Sequence, residues 1–109
     1  MDNNRLELLL QFYEEDSQDP FNAYALAMEY LNKDTAKAKV YFDTLLDVHP
    51  SYLPTYYHAA ALYAALENLE RAEALYQKGM QLALQQQNTK TLQELQRAHR
   101  QFLDEQEDW

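Results

Sequence analysis

The chain has 109 residues, enough for one domain that buries about two-thirds of its unfolded surface. One Gly, three Pro and no Cys leave little material for β-turns and none for disulfides or thiolate metal sites. A net charge of −9 repels nucleic acid phosphates and anionic lipid, so neither is an expected partner, whereas a basic protein segment would be drawn in. The short run Leu8-Leu9-Leu10 is neither a secretory signal nor a membrane span, and a cytoplasmic location is expected.

Leu6, Leu9, Leu10 and Tyr13 share one helical face, widened by Leu8 and Phe12, so residues 4–14 read as a first helix started by Asn3 or Asn4. A polar connector, Glu14 to Gln18, ends it. Asp19-Pro20-Phe21 opens a second helix, with Asp as N-cap and Pro in the first turn. That helix turns Tyr24, Leu26, Ala27, Tyr30 and Leu31 inward until Asn32-Lys33. Asp34 caps a third, which carries Ala38, Phe42, Leu45 and Leu46 and stops at His49-Pro50.

Pro54 lies near the start of a fourth helix with Tyr56, Ala59, Ala60, Tyr63 and Leu66 on one face. Asn68 caps a fifth, running to the region of Gln86 with Ala72, Leu75, Tyr76, Gly79 and Leu82 inward. After Asn88-Thr89 a sixth begins, with Thr91 and Glu94 at capping-box spacing. Leu92, Leu95, His99 and Phe102 form its apolar seam, with Leu103 beside them, and the acidic stretch from Asp104 to Trp109 is expected to fray. The whole reads as six helices and no strand.

One spacing pattern occurs twice. Leu26-Ala27, Tyr30, Ala38, Phe42, Leu45 and Pro50 are followed by Ala59-Ala60, Tyr63, Ala72, Tyr76 and Gly79. Tyr30 to Tyr63 is an offset of 33, and Ala38 to Ala72 and Phe42 to Tyr76 are offsets of 34. A fixed period of that length marks a helix-turn-helix repeat. These residues resemble the tetratricopeptide repeat, whose pattern sets a large aromatic, Leu-Gly, Tyr, Ala, Phe and Pro at fixed spacings. The stretch from Asp19-Pro20-Phe21 to Tyr30-Leu31 is similar to the opening of small stand-alone bacterial members.

The resemblance implies an all-α, right-handed αα-hairpin superhelix in a single domain, 1–109. Residues 1–18 would form an N-terminal capping helix, 19–50 and 51–87 the two repeats, and 88–109 a C-terminal capping helix with an acidic tail. Two repeats alone leave apolar faces open, so the outer helices are expected to cover them. Ala23 stands where a bulky aromatic is usual, and the first copy is one residue short before Asp34. Gly79 within a helix reads as a close backbone approach.

In the family, the first helix of each hairpin lines a concave groove. Carried onto this sequence, the groove takes Phe21, Tyr24, Met28, Leu31 and Asn32 from the first copy, and Pro54, Tyr57, His58, Ala61, Ala64 and Ala65 from the second. The Lys and Arg of a carboxylate clamp are missing there, so chaperone-tail binding of that kind is not expected. Aromatic anchors suit an apolar or amphipathic protein segment instead. A groove partly filled by the chain's own C-terminal helix is the expected compromise, since small domains seldom leave large apolar patches open.

Of nine Tyr, Tyr30, Tyr63 and Tyr76 belong to the repeat core, and some of the other six should reach the surface. His49, His58 and His99 show no metal-ligand spacing, and no phosphate loop or nucleophile motif occurs. No catalysis, cofactor or metal is therefore expected. The leading expectation is a non-catalytic protein-interaction adaptor or scaffold. The alternative is self-association through apolar faces, giving a homodimer.

Overall fold

The computed structural model describes residues 2–107, with side chains from residue 4 onward. Six helices follow one another: α1 (Asp2–Glu15), α2 (Pro20–Tyr30), α3 (Thr35–Val48), α4 (Pro54–Ala65), α5 (Leu69–Gln85) and α6 (Thr89–Glu107). No strand occurs among the described residues. Internal contacts divide the chain into two units, Met1–Thr55 and Tyr56–Trp109.

In the first unit, Asp19 starts α2 by accepting a hydrogen bond from the Phe21 amide at 3.0 Å, and Pro20 needs no donor at that position. Asn22 then donates its side-chain amide to the carbonyls of Phe12 (3.2 Å) and Asp16 (2.9 Å). These are acceptors at and just beyond the C-terminal end of α1, so one side chain satisfies them and fixes α1 against α2. Leu26, Ala27, Ala38, Phe42 and Leu45 are fully buried where α2 packs on α3.

Three tyrosines tie this unit together. Tyr13 of α1 meets Tyr41 of α3 edge-on with centroids 5.4 Å apart, and Tyr41 stacks on Tyr30 of α2 at 5.9 Å. Tyr13 and Tyr41, two of the tyrosines outside the repeat pattern, are therefore spent in packing. Such ring pairs add about 0.5–1.5 kcal/mol beyond their buried area.

The second unit is built on two similar turns. At the end of α4, Glu67 adopts a positive φ of 64°, the Asn68 amide donates to the Tyr63 carbonyl (2.9 Å), and the Glu67 amide to that of Ala64 (3.0 Å). This is a Schellman closure with Glu in the left-handed position that Gly usually takes. Asn68 immediately caps α5 through the Arg71 amide at 3.2 Å. The turn after α5 repeats the scheme, with Gln87 at φ 57° and Asn88 donating to the Ala83 carbonyl at 2.9 Å.

Asn88 also accepts from the Thr91 amide at 3.0 Å, which makes Asn88 the N-cap of α6. The expected capping box is thus displaced: Thr91 and Glu94 lie within the helix. Two other boundaries move outward. The first helix begins at Asp2, so Asn4 is inside it, while the Asn3 side chain lies outside the described residues. The last continues to Glu107 rather than fraying from Asp104, because buried Phe102 anchors it and Gln106 donates to the Phe102 carbonyl at 3.2 Å. Trp109 lies outside the described residues.

Leu66 and Leu103 are exposed rather than part of apolar faces. Leu66 falls beyond the last turn of α4, and Leu103 sits one residue, about 100° around the helix, from the inward Phe102. Gly79 is buried between Tyr56 and Leu95. A Cβ added there would stand 2.7 Å from the Tyr56 Cβ and 3.2 Å from a Leu95 methyl. The close approach anticipated at Gly79 is therefore the crossing point of α4 and α5.

Candidate protein-interaction surface

The residues proposed for a groove fall in both units and have different surroundings in each. On α2, Phe21 is 58% exposed, and Asn32, just past the helix end, is also exposed. Tyr24 is half-buried, with its ring edge-on to Tyr52 at 5.8 Å, and burial raises the pKa of both phenols. Met28 and Leu31 are partly exposed. The face is apolar, with one ring free of contacts on most of its surface and another braced by a second tyrosine.

On α4, Tyr57 is 41% exposed and Ala61 is exposed. Both line a cleft of about 360 Å³ together with Ala64 and Ala65 of the same helix. Tyr76 of α5 also lines it, as do Ala98, Gln101, Phe102 and Glu105 of α6. His58 is outside this lining. It is partly buried beside Tyr57, with centroids 5.1 Å apart, and burial lowers its pKa.

The cleft exists because α4 presents Ala61, Ala64 and Ala65 toward it and α6 presents Ala98. Four alanines keep side-chain bulk away, and the ring surfaces of Tyr57, Tyr76 and Phe102 supply apolar area. Glu105 places an acid at the edge, close enough to Tyr76 to add to the burial that raises its phenol pKa. The α6 contributors were not among the expected site residues. Their signal is nevertheless present: Ala98, Gln101, Phe102 and Glu105 recur at i, i+3, i+4 and i+7, one face of a helix.

The placement of α6 follows from its contacts with α5. Leu95 and Phe102 are buried, and the Phe102 ring lies 5.4 Å from that of Tyr76. The His99 ring nitrogen Nε2 sits 2.9 Å from both oxygens of Glu73, which also accepts from Gln77 at 2.8 Å. Burial works to raise the Glu73 pKa, but those two hydrogen bonds and the imidazole outweigh it and hold the carboxyl below its ordinary value. Thus α6 is clasped to α5 through its seam, and its face of Ala98, Gln101, Phe102 and Glu105 is left beside α4.

Among the described residues, no three metal-ligating side chains come together, and no helix is long and apolar enough to cross a membrane. Antiparallel helix pairs joined by tight capped turns, with small residues where the helices cross, define a helical-hairpin repeat protein. A crystal structure of a tetratricopeptide repeat domain protein from Salinibacter ruber is 37% identical over 79% of this chain and 97% of that one, with a TM-score of 0.75. A solution NMR structure of a tetratricopeptide repeat domain protein from the same organism is 38% identical over 80% of this chain and 89% of its own, with a TM-score of 0.74. No family model matches the chain, and no curated protein does. At this identity and coverage, the chain belongs to the tetratricopeptide repeat family. Repeats of this kind serve in general as protein–protein interaction modules.

Proposed function

We propose that this protein is a non-catalytic adaptor that holds an amphipathic segment of a partner protein, of net positive charge, on the first helices of its hairpins. The observation that carries this reading is the cleft beside α4, where Tyr57 and Ala61 remain accessible although α6 is docked next to them. Its alanine floor lets a partner's backbone or apolar side chain come close, and Tyr57 offers a rigid aromatic anchor of the sort that dominates binding energy. In the first unit, Phe21, Tyr24 and Met28 on α2, with Leu31 and Asn32 just past its end, offer a second apolar contact face, and His58 flanks Tyr57. Glu105 and the net charge of −9 favour Lys or Arg in the segment, mainly through the rate of encounter. A cytoplasmic partner accords with the absence of Cys.

Selection from a displayed library of random 12-residue peptides tests the proposal. Enriched sequences should share apolar residues at helical spacing together with Lys or Arg. Tyr57→Ala should weaken a selected peptide by about 10- to 100-fold, in the range of a buried aromatic anchor. Tyr24→Ala should weaken peptides held on the α2 face without changing the helical spectrum. Enrichment of acidic peptides, or binding that ignores both substitutions, would reject the groove.

A further inference from the structure

The outer face of α1 has no part in the groove, and it carries an apolar stripe of its own. Tyr13 packs on Tyr41, and Leu6, Leu9, Leu10 and Tyr13 are the partly buried side chains of the helix. Leu8 is nevertheless 50% exposed and Phe12 43% exposed. At about 100° per residue, the apolar residues of α1 span roughly 200° of its circumference, well beyond the ~100° that one buried face requires. Other large exposed apolar residues share a helix only at wider spacing, Val40 with Val48 on α3 and Leu69 with Leu84 on α5, whereas Leu8 and Phe12 lie one turn apart on α1.

The stripe is flanked by opposite charges. Arg5, Leu8, Phe12 and Glu15 follow one another at spacings of three, four and three residues, the pattern of a helix–helix seam. All four are exposed, and the Arg5 side chain is 76% so. Arg5 meets Glu29 through Nε at 3.1 Å, and a guanidinium carries four N–H donors besides that one. Both pairs, Arg5 with Glu15 and Leu8 with Phe12, are centred on residue 10. That symmetry makes the stripe complementary to itself when two copies run antiparallel.

We infer that α1 forms an isologous antiparallel contact with α1 of a second copy, Leu8 against Phe12 and Arg5 against Glu15, each twice. A parallel pair would set Arg5 against Arg5 and Glu15 against Glu15, so charge selects the antiparallel arrangement. The charge balance also distinguishes a second copy from an unrelated partner: a face with one cation and one anion about its centre has no net preference for either sign. One short helix per copy buries less than a standard interface, so the dimer is weak, half-formed on the order of 100 μM. This inference does not rest on the peptide-binding proposal, and peptide is absent from its test.

Sedimentation equilibrium over a wide concentration range reads the mass directly. The 12.9 kDa monomer should move toward twice that mass as concentration rises. Leu8→Gln with Phe12→Gln should weaken association at least about 10-fold while leaving the helical spectrum unchanged. Arg5→Glu and Glu15→Arg should each remain monomeric alone. Mixing those two variants should restore dimers, because every contact then joins opposite charges. Glu15→Arg leaves the Arg5–Glu29 pair intact, so its effect cannot come from loss of that bridge. A constant monomer mass at the highest concentration, a dimer indifferent to Leu8 and Phe12, or no recovery on mixing would each overturn the inference.

Discussion

The two hairpins solve one packing problem with inverted volumes. At the α4–α5 crossing, Tyr56 is fully buried against Gly79. The corresponding positions in α2 and α3, offset by 33 and 34 residues, hold Ala23 and Leu45, both buried. A large residue on the first helix with none on the second is replaced by a small one on the first and a large one on the second. Close-packed interiors tolerate exchanges that conserve local volume, so the repeat persists although neither residue does. Position by position, Ala23 looks like a departure from the family; as half of a pair, it is a compensation.

The same contrast orders the expected mutational effects. Leu45→Ala removes a fully buried side chain from the first hairpin, and about 3 kcal/mol of stability should be lost in urea unfolding. Gly79→Ala should cost about 2 kcal/mol. The added Cβ meets the Tyr56 Cβ rather than a flexible side-chain end, so the helices must separate, and this outweighs the gain of up to about 1 kcal/mol in helix propensity. Rebuilding the first hairpin's arrangement in the second sharpens the point. Gly79→Leu combined with Tyr56→Ala should be more stable than the two separate losses sum to, by at least about 1 kcal/mol. Strict additivity would show that the paired volumes are unrelated.

The turns differ as well. The first hairpin closes with the Asp34 amide on the Tyr30 carbonyl at 2.8 Å, and its turn contains no left-handed residue. The second spends an extra residue, Glu67, in that conformation. Glu67→Gly should therefore raise stability by about 0.5–1 kcal/mol, since Gly reaches φ 64° without the Cβ penalty. Lys33→Gly should lower it by a similar amount, about 0.5–1 kcal/mol, because Gly there brings only backbone freedom and removes the Lys33–Glu29 pair. Equal effects at the two sites would erase the distinction.

The smallest effect concerns pH. Burial depresses the His58 pKa in the folded state below the ordinary value of about 6.5. On acidification the unfolded chain takes up a proton near that value before the folded chain does. Stability associated with neutral His58 is thus complete above about pH 6.5 and is lost as pH falls through the lower folded pKa. Between pH 7.5 and 5, wild type should lose more stability than His58→Gln does, and NMR titration should place the His58 midpoint below those of free imidazoles. A midpoint at or above the ordinary value would contradict this.

Most of the fold was legible in the chain because repeats write it twice. Asp19, Asp34 and Asn68 act as the N-caps their positions suggested, since a short polar side chain before an apolar period has one good use there. Asn88 was harder to read. The sequence places it in a break between helices, yet it caps the amide of Thr91, the residue whose spacing to Glu94 suggests a capping box. A local motif gave two solutions one turn apart, and only the hydrogen-bonded turn at Gln87 chose between them.

The candidate surface was legible by halves. Tyr57 and Ala61 followed from the register of the repeat, whereas Ala98, Gln101, Phe102 and Glu105 lie outside the period and had no register to inherit. Their role depends on which face α6 turns to α5, and that was settled by Leu95, Phe102 and the His99–Glu73 contact.

Sequence alone determined the helices, most of their caps, the hairpin repeat and the acidic character, because period, turn chemistry and charge are local quantities that each residue carries with it. Tertiary structure alone decided that Gly79 lies under Tyr56, that α6 leaves a cleft beside α4, and that Leu8 and Phe12 remain outside while their neighbours pack inward. Those outcomes depend on volume and contact between residues far apart in the chain, and a linear pattern holds no measure of either.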